Sequence, residues 1–318
     1  MPEQDVARPR WLEPSRRSHY ESYYVEAVRP GGGRALWIRC TVERPPGGTA
    51  TGEVWVAFVD DGRPGPVALR EAGLPLDSGD AAWIRCGSST LGPTGTQGSV
   101  AVDGTETASW DLTFAGAEPV LRHLPRGWMY EARLPRTKLA SLVPGLTVDG
   151  RLTVAGEVVD VRGWRGVVGH NWGEQHAEQW LWLYGIVADG PHSGGWIDLA
   201  AARMRLGGVL LPWTAFGAVS LGHERLRLGG LGRRPTVRAS TTECSLVVTG
   251  HGVTVSVAAR AAAGSLVRWD YTDPSGPVHP VSNGPTADLR LRVVRPGREQ
   301  VDLRLDGSAT YEHGGASR

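Results

Sequence analysis

The chain has 318 residues, of which 41% are hydrophobic and 21% charged, and its formal net charge is +1. This balance excludes a disordered chain, and near-neutrality without a dense basic run argues against a nucleic-acid partner. No window approaches ~18 consecutive apolar residues, which argues against a membrane-spanning helix.

Three cysteines, Cys40, Cys86 and Cys244, include no Cys-x-x-Cys pair. An odd number without that spacing argues against a disulfide framework and a zinc site, and it fits a reducing compartment. The first residues carry no apolar segment of the secretory type. The expected location is cytoplasmic.

The chain holds 44 glycines and 22 prolines. Turn residues recur about every ten positions, and the runs between them are short and rich in Val, Leu, Trp and Thr. That pattern predicts many short antiparallel strands and an all-β fold. Residues 1–17 are polar and expected to be poorly ordered. Strands are expected over 20–28, 35–43, 53–60, 67–71, 81–85, 99–102, 108–114 and 127–134, with a short helical turn over 136–142. The turn formers of PGLTVDG, residues 144–150, mark a boundary between two domains, residues 18–146 and 147–312. Strands resume at 151–162 and continue to 300–306, and the polar tail from 312 is expected to fray.

A short internal repeat supports two related halves. Leu36-Trp37-Ile38-Arg39-Cys40, Ala82-Trp83-Ile84-Arg85-Cys86 and Gly195-Trp196-Ile197-Asp198 each follow a Gly-rich or turn-rich segment. Arg39 and Arg85 stand where the third copy has Asp198, which favours an outward-facing position there.

The densest functional signal lies between Gly163 and Leu199, which holds five of the 13 tryptophans and three of the nine histidines. Side chains alternate faces along a strand. Trp180, Trp182 and Tyr184 therefore share one face, and Trp196 shares a face with Asp198. A hairpin through DGPHSGG would set these two strands side by side; which faces meet is open. If the aromatic faces enclose a cavity, Asp198 sits among indoles. Burial would raise its pKa, and a nearby imidazolium would lower it. A carboxylic acid kept neutral near pH 7 can donate a proton. His170 is its candidate partner, and the faces of Trp172 and Trp196 would stabilise a cation.

Glu174, His176 and Glu178 alternate in a polar turn, but with His170 they do not make a His-Glu-x-x-His metal motif. His192 lies in a Gly-rich loop and is expected to be solvated. No metal and no cofactor are expected. There is no Gly-x-Ser-x-Gly, Walker or dinucleotide fingerprint.

The string Gly169-His170-Asn171-Trp172-Gly173, followed by an aromatic strand and then Trp196-Ile197-Asp198, resembles the carotenoid 1,2-hydratase (hydroxyneurosporene synthase) family. That family belongs to the AttH-like group, related to tocopherol cyclase and to lipocalin-like Diels–Alderases. Gly169 stands where the motif carries Asp, and Trp196 where it carries Tyr. The resemblance implies two tandem lipocalin-like (calycin-type) antiparallel β-barrel domains with a hydrophobic cavity. It also implies Asp198 as proton donor to an alkene, with His170 beside it.

The resulting expectation is a protein that binds an apolar small molecule, isoprenoid or polyketide-like. Its cavity is lined by Trp172, Trp180, Trp182, Tyr184 and Trp196, with Asp198 and His170 as catalytic candidates for alkene hydration, dehydration or cyclisation. The competing expectations are a non-catalytic lipophile carrier and a pericyclase that acts by folding its substrate.

Overall fold

The computed structural model describes residues 6–13, 16–79, 81–116, 118–222 and 224–315. Among them the regular elements are strands and two short 3-10 turns, Gly127–Tyr130 and Ala263–Ser265, besides the helical residues Val6 and Ala7. The first half supplies β1 (His19–Val28), β2 (Arg34–Arg44), β3 (Thr51–Asp60), β4 (Val67–Leu74), β5 (Leu76–Gly79), β6 (Ala82–Cys86), β7 (Ser89–Gly92) and β8 (Gly95–Val102). It continues with β9 (Thr105–Ala115), β10 (Leu121–Arg122), β11 (Thr137–Val154) and β12 (Glu157–Gly173). The second half supplies β13 (Gln179–Ile186), β14 (Trp196–Arg203), β15 (Arg205–Leu206), β16 (Val209–Leu210), β17 (Thr214–Ser220), β18 (Arg225–Gly229), β19 (Thr236–Ala239) and β20 (Glu243–Gly250). It ends with β21 (Val253–Arg260), β22 (Val267–Thr272), β23 (Val278–Val294) and β24 (Val301–Gly314).

Sheet A runs β4-β3-β2-β1-β12-β11-β9-β8-β7-β6-β5, with β10 beside β11. Its ends curl together until β4 lies against β8, making a nearly closed antiparallel barrel. Sheet B runs β18-β17-β14-β13-β24-β23-β21-β20-β19, with β22 beside β23. The two sheets repeat one plan. Each begins with a hairpin (β1–β2, β13–β14) whose first strand pairs with the last long strand (β12, β24). That strand pairs back with a second long strand (β11, β23), which carries a short extra one (β10, β22). The Trp37-Ile38-Arg39 and Trp196-Ile197-Asp198 copies therefore occupy matching strands.

Each sheet encloses its own core. Tyr23, Ile38, Phe58 and Trp110 fill A, and Leu183, Ile197, Val257 and Tyr311 fill B. A third apolar layer lies between the sheets and includes Tyr24, Trp37, Trp55, Trp182, Tyr184, Trp196 and Tyr271. Residues 20–28 of β1, most of β13 and the stretch Trp196–Leu199 of β14 are buried, so both faces of these strands pack against protein there. That is why β13 reads as a nearly continuous apolar run, whereas β1 buries Glu21, Ser22 and Glu26 among its apolar residues. Position 39 faces away from its own core but into the other sheet, and Arg39 is buried. The third copy differs, since Arg85 is exposed.

Several expectations change. Residues 127–134 hold a 3-10 turn and not a strand, and residues 137–142 belong to β11 and not to a helical turn. Ala140 and Leu139 pair with His170 and Asn171 of β12, and this tertiary pairing overrides the helix-friendly composition. The expected domain boundary at 146/147 falls inside β11. Its Pro144 and Gly145 are absorbed by register shifts between Val143 and Leu146, and the chain passes from sheet A to sheet B only after Gly173. Of the N-terminal residues, Val6 is fully buried; residues 1–5 and 14–15 lie outside the described set. In the tail, Glu312 and His313 are buried within β24, while residues 316–318 lie outside the described set. Cys40, Cys86 and Cys244 are free and buried. No helix among the described residues is long and apolar enough to cross a membrane.

The contact between sheets carries a buried acid. Glu26 of β1 is 2% exposed, and its carboxyl accepts a hydrogen bond from the Thr310 hydroxyl of β24. Burial pushes this carboxyl up to about 8 from an ordinary 4.5; the Thr310 bond opposes the rise and the Glu312 carboxylate adds to it. The native state therefore keeps this proton where the unfolded chain has lost it. The effect on stability is nil below about pH 4.5 and grows to a full penalty, on the order of 4 kcal/mol, above about pH 8. Glu26→Gln is expected to stabilise the protein at pH 9 and to change little at pH 4.5 in urea titrations. An equal effect at both pH values would contradict this assignment.

Candidate active site

The structure separates the two residues that the sequence paired. Asp198 lies on β14 and is fully buried between the sheets. Its carboxylate accepts hydrogen bonds from His123 Nε2 at 2.9 Å, from Trp182 Nε1 at 3.0 Å and from the Ser141 hydroxyl. Burial pushes the Asp198 carboxyl up, but the charge of His123 and these three hydrogen bonds outweigh it, and the net shift is downward. Asp198 is thus an ionised acceptor, and its imidazole partner is His123.

His170 lies within barrel A. Its Nδ1 is 2.6 Å from the Val6 carbonyl and its Nε2 is 2.8 Å from Glu21 Oε1. The ring stacks between Tyr23, at 4.0 Å, and Trp172, at 4.5 Å. Glu21 also accepts from His19, the Tyr23 hydroxyl and the backbone amides of Arg10 and Trp11. Burial opposes ionisation of Glu21, yet the hydrogen bonds from His170 and His19 hold its carboxyl well below the usual carboxylate range. This cluster ties the N-terminal segment into the barrel. Gly169, beside it, has Tyr24 packed on it so closely that a Cβ would sit 2.2 Å from that ring.

The aromatic face of β13 does meet that of β14. Tyr184 pairs with Asp198 and Trp182 with Ala200. Tyr184 donates its hydroxyl hydrogen bonds to the Pro144 and Gly166 carbonyls, and Trp196 is buried in the same layer. Trp180 and Trp182 line a cavity of about 110 Å³ between the sheets. Trp172, Tyr184, Trp196, His170 and Asp198 do not line it.

Sheet A closes the cavity with Tyr20, Tyr24, Trp37 and Arg39 of its first two strands, and with Asn171. Sheet B brings Tyr271 and Glu312, and His176 comes from the crossover between sheets. A smaller space of about 30 Å³ continues past Tyr20, Arg39, His176 and Tyr271 toward Glu43, Glu53 and Arg70. Glu312 is held by Trp180 Nε1 at 2.8 Å, Asn283 Nδ2 at 3.2 Å and the Tyr271 hydroxyl at 3.4 Å.

His176 stands in the wall of this cavity. Its Nδ1 lies 2.7 Å from Asp273 Oδ1, which also accepts from the His176 backbone amide at 2.7 Å. His279 Nε2 lies 3.0 Å from the other oxygen, Asp273 Oδ2. Burial opposes ionisation of Asp273, but the hydrogen bonds from His176 and His279 hold it well below the usual carboxylate range. An ionised carboxylate only accepts hydrogen bonds. Nδ1 of His176 must therefore carry the proton, and Nε2 keeps its lone pair. That Nε2 is buried without a hydrogen-bond partner. Burial lowers the His176 pKa below 6.5, against the opposing pull of Asp273, so the ring is neutral at pH 7. The ring stacks on Tyr20 at 4.2 Å and lies 5.7 Å from Trp180.

His176, Asp273 and His279 also form a group whose ligand atoms lie within 4.8 Å of one another, a two-imidazole, one-carboxylate set able to take a divalent ion. No local spacing marks this group in the sequence, since Asp273 lies 97 residues after His176. Arg39 has a local signal, since it shares a face with Trp37 as Asp198 does with Trp196.

No family model matches the chain, and no curated protein matches it. Solved structures do. Kievitone hydratase from Nectria haematococca is 12% identical, with 100% of this chain and 93% of that one covered and a TM-score of 0.58. A protein of Nitrosomonas europaea assigned as AttH is 13% identical over 93% of this chain and 92% of its own, with a TM-score of 0.53. CghA, solved with Sch210972, is 13% identical over 94% and 89%, with a TM-score of 0.58. The likeness spans nearly the whole chain and is one of fold.

Proposed function

We propose that the chain is an enzyme that takes an apolar small molecule, isoprenoid or polyketide-like, into the cavity between its sheets. There it catalyses hydration, dehydration or cyclisation by proton transfer. The observation that carries this reading is the His176–Asp273 pair. It sets a neutral imidazole, oriented by a carboxylate and with an unused lone pair, in the wall of an aromatic cavity. For dehydration or cyclisation Nε2 takes a proton from an activated C–H or a substrate hydroxyl, for hydration from a water whose oxygen bonds to carbon, and Asp273 stabilises the imidazolium that forms. The imidazolium then gives a proton to the leaving oxygen, which departs as water, or to carbon in hydration and cyclisation, and exchange of that proton with solvent carries deuterium to the product. Asp198, ionised and saturated with donors, anchors the contact between sheets in this reading.

The neighbours support the reaction class, since one is a hydratase and another was solved with the compound Sch210972 bound. They also support a reading of the fold as two lipocalin-like units in tandem, as does the shared strand plan.

The test is incubation with a panel of alkene-bearing isoprenoid and polyketide-type compounds in D₂O and in H₂¹⁸O. Enzyme-dependent deuterium at carbon, ¹⁸O in a product, or a new ring is the expected result. Compounds that bind and emerge unchanged and unlabelled would establish a carrier instead.

A further inference from the structure

The cavity wall contains a guanidinium that forms no ion pair among the described residues. Arg39 is 5% exposed. Its guanidinium carbon lies 4.3 Å above the Tyr271 ring, 5.7 Å from Trp37 and 6.0 Å from Trp55. Its Nε is buried without a hydrogen-bond partner. Among the described residues no carboxylate oxygen lies within 4.0 Å of it.

The nearby acids are engaged elsewhere. Glu312 is bonded to Trp180, Asn283 and Tyr271, and Glu53 is paired with Arg70 at 2.7 Å. Glu43 is partly buried, and burial raises its pKa. Buried charges in folded proteins are normally paired, yet beyond the ring faces of Trp37 and Trp55 the guanidinium has, among the described residues, only the neutral Tyr271 hydroxyl as a hydrogen-bond partner. Two further orphans line the same cavity: Asn171 Oδ1 and His176 Nε2.

We infer that the cavity selects ligands carrying an anionic oxygen, a carboxylate, enolate or phenolate, seated on Arg39 with the apolar body between Trp37, Trp180 and Trp182. This deepens the proposal above and rests on the same cavity being the ligand site. The planar guanidinium fork suits a carboxylate-like group, which it can grip through two parallel bonds. An oxyanion there places the adjoining atoms of the ligand near His176, which like Arg39 lines both the main cavity and the outer space.

Cinnamate and cinnamamide, nearly equal in size and differing in charge, are the probes, with affinities read by calorimetry on the full chain at fixed salt. Wild-type protein is expected to bind cinnamate at least about tenfold more tightly than the amide, the scale of a charge-assisted bond. Arg39→Gln is expected to erase that preference while amide affinity changes less than about threefold, and Arg39→Lys to keep part of it. The wild-type comparison stands even if a variant fails to fold. Equal binding of both probes by wild type would overturn the anion assignment and leave the cavity reading intact. A preference that survives Arg39→Gln would overturn the role of Arg39. Binding of neither probe would overturn both readings. Preference for cinnamate without any enzymatic labelling would leave this inference standing and remove the proposed catalysis.

Discussion

Asp198→Ala is expected to lower the stability of the protein by about 3–5 kcal/mol, the scale of leaving several buried donors without their acceptor. The carboxylate serves three donors at once: His123, Ser141 and Trp182. Its removal strands all three in a layer that excludes water, and each unmet donor adds a desolvation penalty. Because Ser141 and His123 come from the first half and Trp182 from the second, the loss falls on the contact between sheets. Asp198→Asn keeps an acceptor and should cost less.

The pH dependence has a definite sign. Asp198 has a folded pKa below its unfolded 3.8, so its stabilisation is present above about pH 3.8 and is lost as pH falls through the folded value. The gap between wild type and Asp198→Asn should therefore narrow in acid. Urea titrations with midpoint and slope fitted separately provide the measurement. Full stability of Asp198→Ala would show that the cluster does not fasten the sheets. If that variant also lost turnover, Asp198 would return as a catalytic acid.

His176→Asn is expected to reduce turnover, or deuterium exchange into a bound ligand, by about 10²–10⁴-fold, the usual contribution of a positioned base. An asparagine amide reaches toward Asp273 much as Nδ1 does, so the carboxylate keeps a donor while Nε2 disappears. Ligand affinity should change far less than rate. Asp273→Asn should also impair turnover, because an amide can favour the wrong tautomer of the imidazole. In wild type the rate should fall on the acid side, below the ordinary histidine value of 6.5, as His176 becomes protonated. A His176→Asn protein with normal turnover would remove this residue from the mechanism.

Much of the fold was legible because local chemistry set it. Frequent Gly and Pro between short Val- and Trp-rich runs mark antiparallel strands, and the β13–β14 hairpin follows from the DGPHSGG turn. Alternation correctly grouped Trp196 with Asp198. It could not show what lies beyond that face, since the answer depends on a second sheet stacking there. The same reasoning would have placed Arg39 in that layer, but in one sheet alone an Arg reads as solvent-facing. The residues from Thr137 to Leu142 carry helix-friendly side chains, and only their pairing with β12 makes them a strand. His176 lay inside the stretch that attracted notice. Its partners did not: Asp273 and His279 reach it through the fold of sheet B, with no local spacing to announce them.

The most direct test of the account is the protonation map of His176 in the ligand-free protein at about pH 7.5, read from long-range ¹H–¹⁵N correlations. A neutral ring protonated on Nδ1, with a bare Nε2 and a titration below 6.5, is the predicted result. A proton on Nε2, or an imidazolium at that pH, would leave the cavity without a base and contradict the proposed chemistry.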